Sequence, residues 1–429
     1  MKKIYRTNDA QNRILFSDLL SPDTGAPNII VKTEVHNIDV KAMQDSINHF
    51  VNENEMMRIQ FFKNEKSELR QYISDYYPNK NIDVYELLNY SEEQIEHWVE
   101  QYAKKPFPLF NKPLYEFSIV TSNHTSFLLI KAHHAIIDGV SIDVLIPTIV
   151  SIYKQLIQNS SSDYIDNYSI EDYIDSEKQY NESSRFKKDK DFWDEEFKNI
   201  PDYLISDSQK LYTNNLSAKR EEFLFTKETK KAIEIFCEEN KVSMYTLFMS
   251  SLFLYFSRTK KVEDLVIGTF FANRKSYEKK AIGMFVSTVP FRMKLNNELD
   301  IKEFISSINK KQRKIMRHQR YPYNRLIQDL RVDGHNINQL FNIGFEYQEM
   351  EAEFKEIFSG YDFNELNFHI KNYTHKNELV LSIDYRVELF NKIEINQLIT
   401  RFVNLIMFIL KNPERSISEI NMLTEEEEN

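Results

Sequence analysis

Residues 133–139 read His133-His134-Ala135-Ile136-Ile137-Asp138-Gly139, and their surroundings decide the fold. Upstream, residues 125–132 (TSFLLIKA) form a short apolar run of the kind a buried strand needs. Downstream, Val144, Leu145, Thr148, Ile149, Ile152 and Leu156 recur at helical spacing, and Ser141 can cap such a helix. The stretch therefore lies where a strand ends and a helix begins. Adjacent strand residues point to opposite faces, so His133 and His134 do not share one task or one metal ion. One is expected to be structural and the other functional. Gly139 is one of only 7 glycines in the chain, which predicts a tight turn or a close backbone approach there.

A chain of 429 residues accommodates two domains of ordinary size. Its 41% hydrophobic and 13% aromatic content supports large cores and excludes global disorder. No uninterrupted apolar stretch reaches the length of a membrane span. Met1-Lys2-Lys3 leads into Ile4-Tyr5 and then polar residues, unlike a secretory signal. The single cysteine, Cys237, has no partner for an intramolecular disulfide, which fits a reducing cytoplasm. It lies among Ile233, Ile235 and Phe236 and reads as core. A net charge of -10 argues against a nucleic-acid partner.

Patterning predicts, in order, a short helix carrying Ile14, Leu15 and Phe16, a strand at 29–36 and a helix at 40–53. A strand at 55–63 pairs with 71–73, a helix covers 92–102, and a hairpin joins 115–121 to 125–132 around Ser122-Asn123-His124. After the helix at 141–157 comes a polar linker at 159–163. Residues 169–198 read as one long charged helix anchored by Phe192-Trp193, and 201–220 as an irregular connection. The lobe boundary is placed near 175. The second half shows strands at 221–226, 265–271, within 281–295, 341–347 and 378–385. Its helices fall at 227–240, 243–257, 301–318 and 393–410, and the acidic tail 423–429 is expected to fray. The fold class read from this alternation is α/β in two related lobes, 1–175 and 176–429.

With these elements placed, residues 133–139 resemble the HHxxxDG signature of condensation domains of nonribosomal peptide synthetases. Further stretches resemble that family in the right order over nearly the whole chain. Ala10-Gln11-Asn12-Arg13 is similar to AQxR. Residues 53–61 (ENEMMRIQF) are similar to RHExLRTxF and keep Glu55, Arg58 and Phe61. Asp172-Tyr173 and Phe192-Trp193 resemble the region after the first lobe. Residues 282–288 (IGMFVST) are similar to IGxFVNT with Ser287 in place of Asn. His318-Gln319-Arg320-Tyr321-Pro322 resembles HQDYP, and Leu340-Phe341 with Phe345 resembles PLFxxxF. The departures at Glu53, Asn54, Ser287 and Arg320 leave the central stretch intact.

The resemblance implies two chloramphenicol-acetyltransferase-like α/β sandwich lobes in a V-shaped pseudo-dimer with a central tunnel. Segments near 272–285 and 350–375 would cross from the second lobe to the first. It implies amide-bond formation between a donor acyl thioester and an acceptor amine. Both substrates would ride on the 4′-phosphopantetheine of peptidyl carrier protein domains, with an adenylation domain as a further partner. No cofactor or metal would be bound directly. His134, second of the pair, is then the catalytic base or positioning group, and the Gly139 N–H is an oxyanion donor. His133 supports the stretch, and Asp138 forms a structural salt bridge with Arg58. Gly283 and Ser287 are substrate-binding candidates. An α-amino group has a pKa of roughly 7.7–8.0, so about a tenth is free amine at neutral pH. Attack makes its nitrogen acidic, and an imidazole with a pKa of about 6.5 can take the proton.

Four other readings share the fold. An epimerisation domain would follow a carrier, a heterocyclisation domain would replace the His pair, and a non-catalytic docking module would lose the second His. A coenzyme-A-dependent acyltransferase would not need the carrier-related motifs. The basic run 310–320, where Lys310, Lys314 and Arg317 share one helix face, reads either as an ordinary solvated face or as a docking surface for a carrier.

Overall fold

The computed structural model describes residues 3–123, 125–162, 164–165, 168–205, 215–351 and 353–422. His124, Asp163, residues 206–214 of the 201–220 connection and the tail 423–429 lie outside the described residues. The chain begins β1 (Ile4–Arg6), α1 (Asp9–Leu20), β2 (Asn28–Glu34), α2 (Val40–Glu53), β3 (Ile59–Lys63), β4 (Leu69–Ile73) and β5 (Ile82–Glu86). It continues through α3 (Glu92–Lys104), β6 (Tyr115–Thr121), β7 (Ser126–His133), α4 (Gly139–Ile157), α5 (Ile170–Asn181), α6 (Ser184–Glu196) and β8 (Ala218–Leu224). Then come α7 (Lys227–Asn240), α8 (Met244–Lys260), β9 (Asp264–Phe271), β10 (Ser287–Lys294), α9 (Ile301–Arg317) and α10 (Tyr323–Val332). Last are β11 (Ile343–Met350), β12 (Lys355–Glu356), β13 (Leu366–Tyr373), β14 (Glu378–Arg386) and α11 (Lys392–Lys411).

Two compact units share these elements. The first is Met1–Arg185 with Ala272–Val286 and Glu351–Tyr361, and the second is Phe186–Phe271, Ser287–Met350 and Asp362–Asn429. The first unit thus runs ten residues past 175, and of the segment 350–375 only its first part belongs there.

In the first unit a five-stranded sheet has the order β12-β2-β7-β6-β5, beside a three-stranded sheet β1-β4-β3. β7 is central, paired antiparallel with β2 and β6, which explains its nearly continuous apolar sequence. Helices α2 and α4 cover it with Met43, Ile47, Phe50, Leu145, Ile149 and Ile152, all buried. Asp138, not Ser141, caps α4: its carboxylate accepts the Ser141 N–H at 2.9 Å. The helix therefore starts two residues before 141. Gly139 opens it without the positive φ that a left-handed turn would require, because residues 134–136 make the turn. Helices α4 and α11 match a membrane span in length and hydropathy, but their buried residues lie in the two cores.

The second unit holds one six-stranded mixed sheet, β10-β9-β11-β13-β14-β8. Its apolar residues Phe345, Phe368, Leu381 and Ile383 join the core formed with α8 and α11. Cys237 is buried in that core, and burial pushes its thiol up to about 12.

Two sequence expectations change. The long helix expected over 169–198 is two helices broken at Glu182–Ser183, where the Ser183 hydroxyl donates to the Tyr180 carbonyl at 2.6 Å. A serine that bonds to the backbone in this way competes with helix propagation. Strand β13, placed between β11 and β14, was not anticipated as a strand, although Leu366, Phe368 and Ile370 alternate with Asn367, His369 and Lys371.

Candidate active site

The three ionisable residues of the 133–139 stretch have distinct environments. His133, the last residue of β7, is fully buried. Its Nδ1 accepts the Ala135 N–H at 3.1 Å, so the ring proton lies on Nε2, which faces Asp18 Oδ2 at 3.3 Å. His133 ties β7 to α1. His134 follows at the turn and is half-buried, its backbone N–H donating to the Pro27 carbonyl at 2.7 Å. The pair thus separates into one fully buried ring and one half-buried ring, with His134 at the turn beyond the end of β7.

Asp138 is fully buried, and its partner is Arg274 rather than Arg58. The guanidinium is bidentate, 2.7 Å to Oδ2 and 2.9 Å to Oδ1. The Phe285 N–H donates to Oδ2 at 3.0 Å, and the Ser141 hydroxyl to Oδ1 at 2.8 Å. Burial opposes ionisation of this carboxyl, but the Arg274 charge and these hydrogen bonds outweigh it and hold its pKa below the usual value. Arg58 instead donates to the Ser74 carbonyl at 3.1 Å, bracing the strand pair β3–β4. Arg274 lies in the 272–286 segment, far along the chain, and no spacing rule links it to position 138. A lone Arg before the IGMFVST stretch was the available signal.

The same segment is fastened at further points. Gly283 donates its N–H to the Ser141 hydroxyl at 3.1 Å. Its φ is +155°, and a Cβ there would lie 2.7 Å from the Phe285 ring, so only glycine fits. The Tyr173 hydroxyl donates to the Met284 carbonyl, and its ring meets Phe285 edge-on at 5.0 Å. Arg274 stacks over the Phe285 ring at 4.3 Å. His133, His134, Asp138, Gly139 and Gly283 are therefore gathered in the first unit. Ser287 belongs to the second, where it opens β10 opposite Phe271.

Another buried charged cluster lies on the sheet of the second unit. Arg220 grips Asp384 through both oxygens at 2.6 and 2.7 Å, and His369 bridges Asp384 at 3.1 Å and Glu346 at 3.2 Å. Ligand atoms of Asp362, His369 and Asp384 lie within 4.8 Å of one another. Arg220 already occupies Asp384, however, and the Asn367 amide lies against both Asp362 oxygens, so this set fits an ion-pair network better than a metal.

Comparison with known proteins agrees with this arrangement. The condensation-domain family matches residues 1–429. A plipastatin synthase of Bacillus subtilis (strain 168) is 33% identical over 97% of this chain, and surfactin synthase subunit 1 of the same organism 34% over 99%. The chain spans only 17% and 12% of those two proteins. Among solved structures, the first condensation domain of the calcium-dependent antibiotic synthetase, in complex with a substrate analogue, matches with a TM-score of 0.86. Its identity is 15%, over 98% of this chain and 99% of that one. A starter condensation domain of rhizomide synthetase, in complex with C8-CoA, also gives 0.86, at 18% identity over 98% of each chain. The histidine pair, the buried Asp138 and the segment folded back onto it are those of a chain that belongs to the condensation-domain family of nonribosomal peptide synthetases.

Proposed function

We propose that the chain forms an amide bond between a donor acyl thioester and an acceptor amine, both presented on the phosphopantetheine arms of carrier proteins. One observation carries the assignment of roles: His133 and Asp138 are fully buried in structural contacts, whereas His134 is the half-buried ionisable side chain of the stretch. In this reading the amine nitrogen attacks the thioester carbon. His134 takes a proton from that nitrogen and returns it to the departing thiolate as the C–S bond breaks. Gly139, the first residue of α4, carries one of the N–H groups a helix leaves without an internal acceptor, and it serves as oxyanion donor. Asp138 takes no part in proton transfer, since its oxygens are committed to Arg274, Ser141 and Phe285. The exposed basic face of α9 receives a carrier protein. The test is intact mass spectrometry of a donor and an acceptor carrier mixed with the enzyme. The acyl mass should move from the donor carrier onto the aminoacyl group of the acceptor. Loss of the donor acyl group to water alone would argue against condensation.

A further inference from the structure

The turn that carries His134 has each of its main-chain donors tied to a named acceptor. The His134 N–H goes to the Pro27 carbonyl at 2.7 Å, and the Ile136 N–H to the His133 carbonyl at 3.0 Å. The N–H between them, on Ala135, goes to a side chain, the His133 ring at Nδ1, 3.1 Å away. A backbone N–H can only donate, so this bond exists only while Nδ1 carries no proton. The Nδ1–H tautomer and the imidazolium would each set one N–H against another at this point and open the turn.

Asp18 selects among these forms. It is a buried residue of α1, with its Oδ2 3.3 Å from His133 Nε2. A carboxylate accepts and does not donate, so it keeps the ring proton on Nε2 and leaves the Nδ1 lone pair to Ala135. In the opposite tautomer two buried acceptors would face each other, which is costly. The ring is held in place as well: it is fully buried, and Phe107 meets it edge-on with centroids 6.3 Å apart. The Asp18 main chain serves the same turn from a second side. Its carbonyl accepts the Ser21 N–H at 2.9 Å, where α1 ends and the chain leaves toward Pro27.

We propose that Asp18 is a positioning residue for the reaction: by fixing the Nε2–H tautomer of His133 it holds the 134–136 turn and so sets the placement of His134. The link to turnover rests on the condensation reading above.

The experiment combines nitrogen-15 spectra of the histidine rings with the turnover of two loaded carriers, for wild type, Asp18→Asn and Asp18→Leu. In wild type His133 should carry its proton on Nε2, with Nδ1 giving the signal of an unprotonated ring nitrogen. Asparagine keeps an oxygen acceptor at position 18 and should preserve the tautomer and most of the turnover. Leucine fills similar space without an acceptor. His133 should then populate both tautomers, and hydrogen exchange at Ala135 and Ile136 should rise. The kcat should fall on the order of a hundredfold with KM nearly unchanged. A wild-type His133 protonated at Nδ1 overturns the proposal before any variant is made. So does a folded Asp18→Leu that keeps the tautomer and the amide protection, or one that melts earlier yet turns over like wild type while folded, as a purely structural contact would allow. The spectra need no activity, so the two readings fail separately. A wild type that joins no loaded carriers but shows the tautomer change in Asp18→Leu would remove condensation and leave Asp18 in control of the turn. Amide formation with an unchanged spectrum in Asp18→Leu would do the reverse.

Discussion

Asp138 and Arg274 form a buried, bidentate pair that also fixes the main chain at Phe285. Removing one member leaves the other charged and uncompensated, at a cost of roughly 3–5 kcal/mol. Arg274→Ala should therefore melt markedly earlier than wild type, whereas Arg58→Ala, which gives up a hydrogen bond to a carbonyl, should lose less; thermal denaturation of the two compares them directly. The sign of the pH dependence follows from the depressed pKa of Asp138 in the fold. Its contribution is complete above the unfolded value of about 3.9 and fades as pH falls through the lower folded value. Arg274→Ala should flatten that acid limb. At this scale the family resemblance implied a salt bridge at Asp138, with Arg58 as its partner, whereas the partner is Arg274. No spacing shows that partner, since positions 138 and 274 meet only through tertiary folding. His133 closes β7 and His134 lies at the turn after it, so their different burial is set by the end of the strand and not by alternation within it.

Secondary elements with strong patterning, such as α2, α8, α11 and β7, lie within a few residues of where periodicity placed them. The failures have local causes. β13 lies within the segment 350–375 that the family resemblance marks as a crossover, although Leu366, Phe368 and Ile370 alternate there with polar residues. The edge strand β5 reads Ile-Asp-Val-Tyr-Glu and is largely exposed beyond Ile82, so it lacks a buried face to announce it. Helix α9 behaves as its pattern requires: Phe304, Ile308 and Ile315 are buried, while Lys310, Lys314 and Arg317 are exposed on another face. Reversing these three to Glu should raise the apparent KM for one carrier and weaken the salt dependence of binding, with unchanged turnover of a small carrier-free thioester. Equal loss on both substrates would point to a disturbed fold instead. In the 272–286 segment, Gly283→Ala should detach the chain from Ser141, because a Cβ there collides with the Phe285 ring. Hydrogen exchange at residues 281–286 should rise in that variant.

At the level of the whole molecule, the α/β class was legible from the alternation of elements and the family resemblance. The polar network on the second unit's sheet was not, because its members come from β8, β11, β13 and β14 and share no local pattern. There His369 is raised to about 9: burial lowers its pKa, and Asp384 and Glu346 more than reverse that. Its stabilising contribution is thus fully present below the unfolded value of about 6.5 and disappears as pH rises through about 9. The gap corresponds to stability on the order of 3 kcal/mol. The melting temperature should fall between those pH values in wild type and stay nearly level in His369→Gln. A wild-type profile flat over that range would remove the network from the account.

The central claim is that His134 performs the chemistry while its neighbours hold the stretch together. Its most direct test measures amide formation between two loaded carrier proteins by intact mass spectrometry, with wild type, His134→Ala and Arg58→Ala at equal concentration. The account predicts that His134→Ala melts like wild type but forms little product, losing on the order of 10²–10⁴ in rate, and that Arg58→Ala retains most activity. Near-wild-type turnover by folded His134→Ala would contradict it.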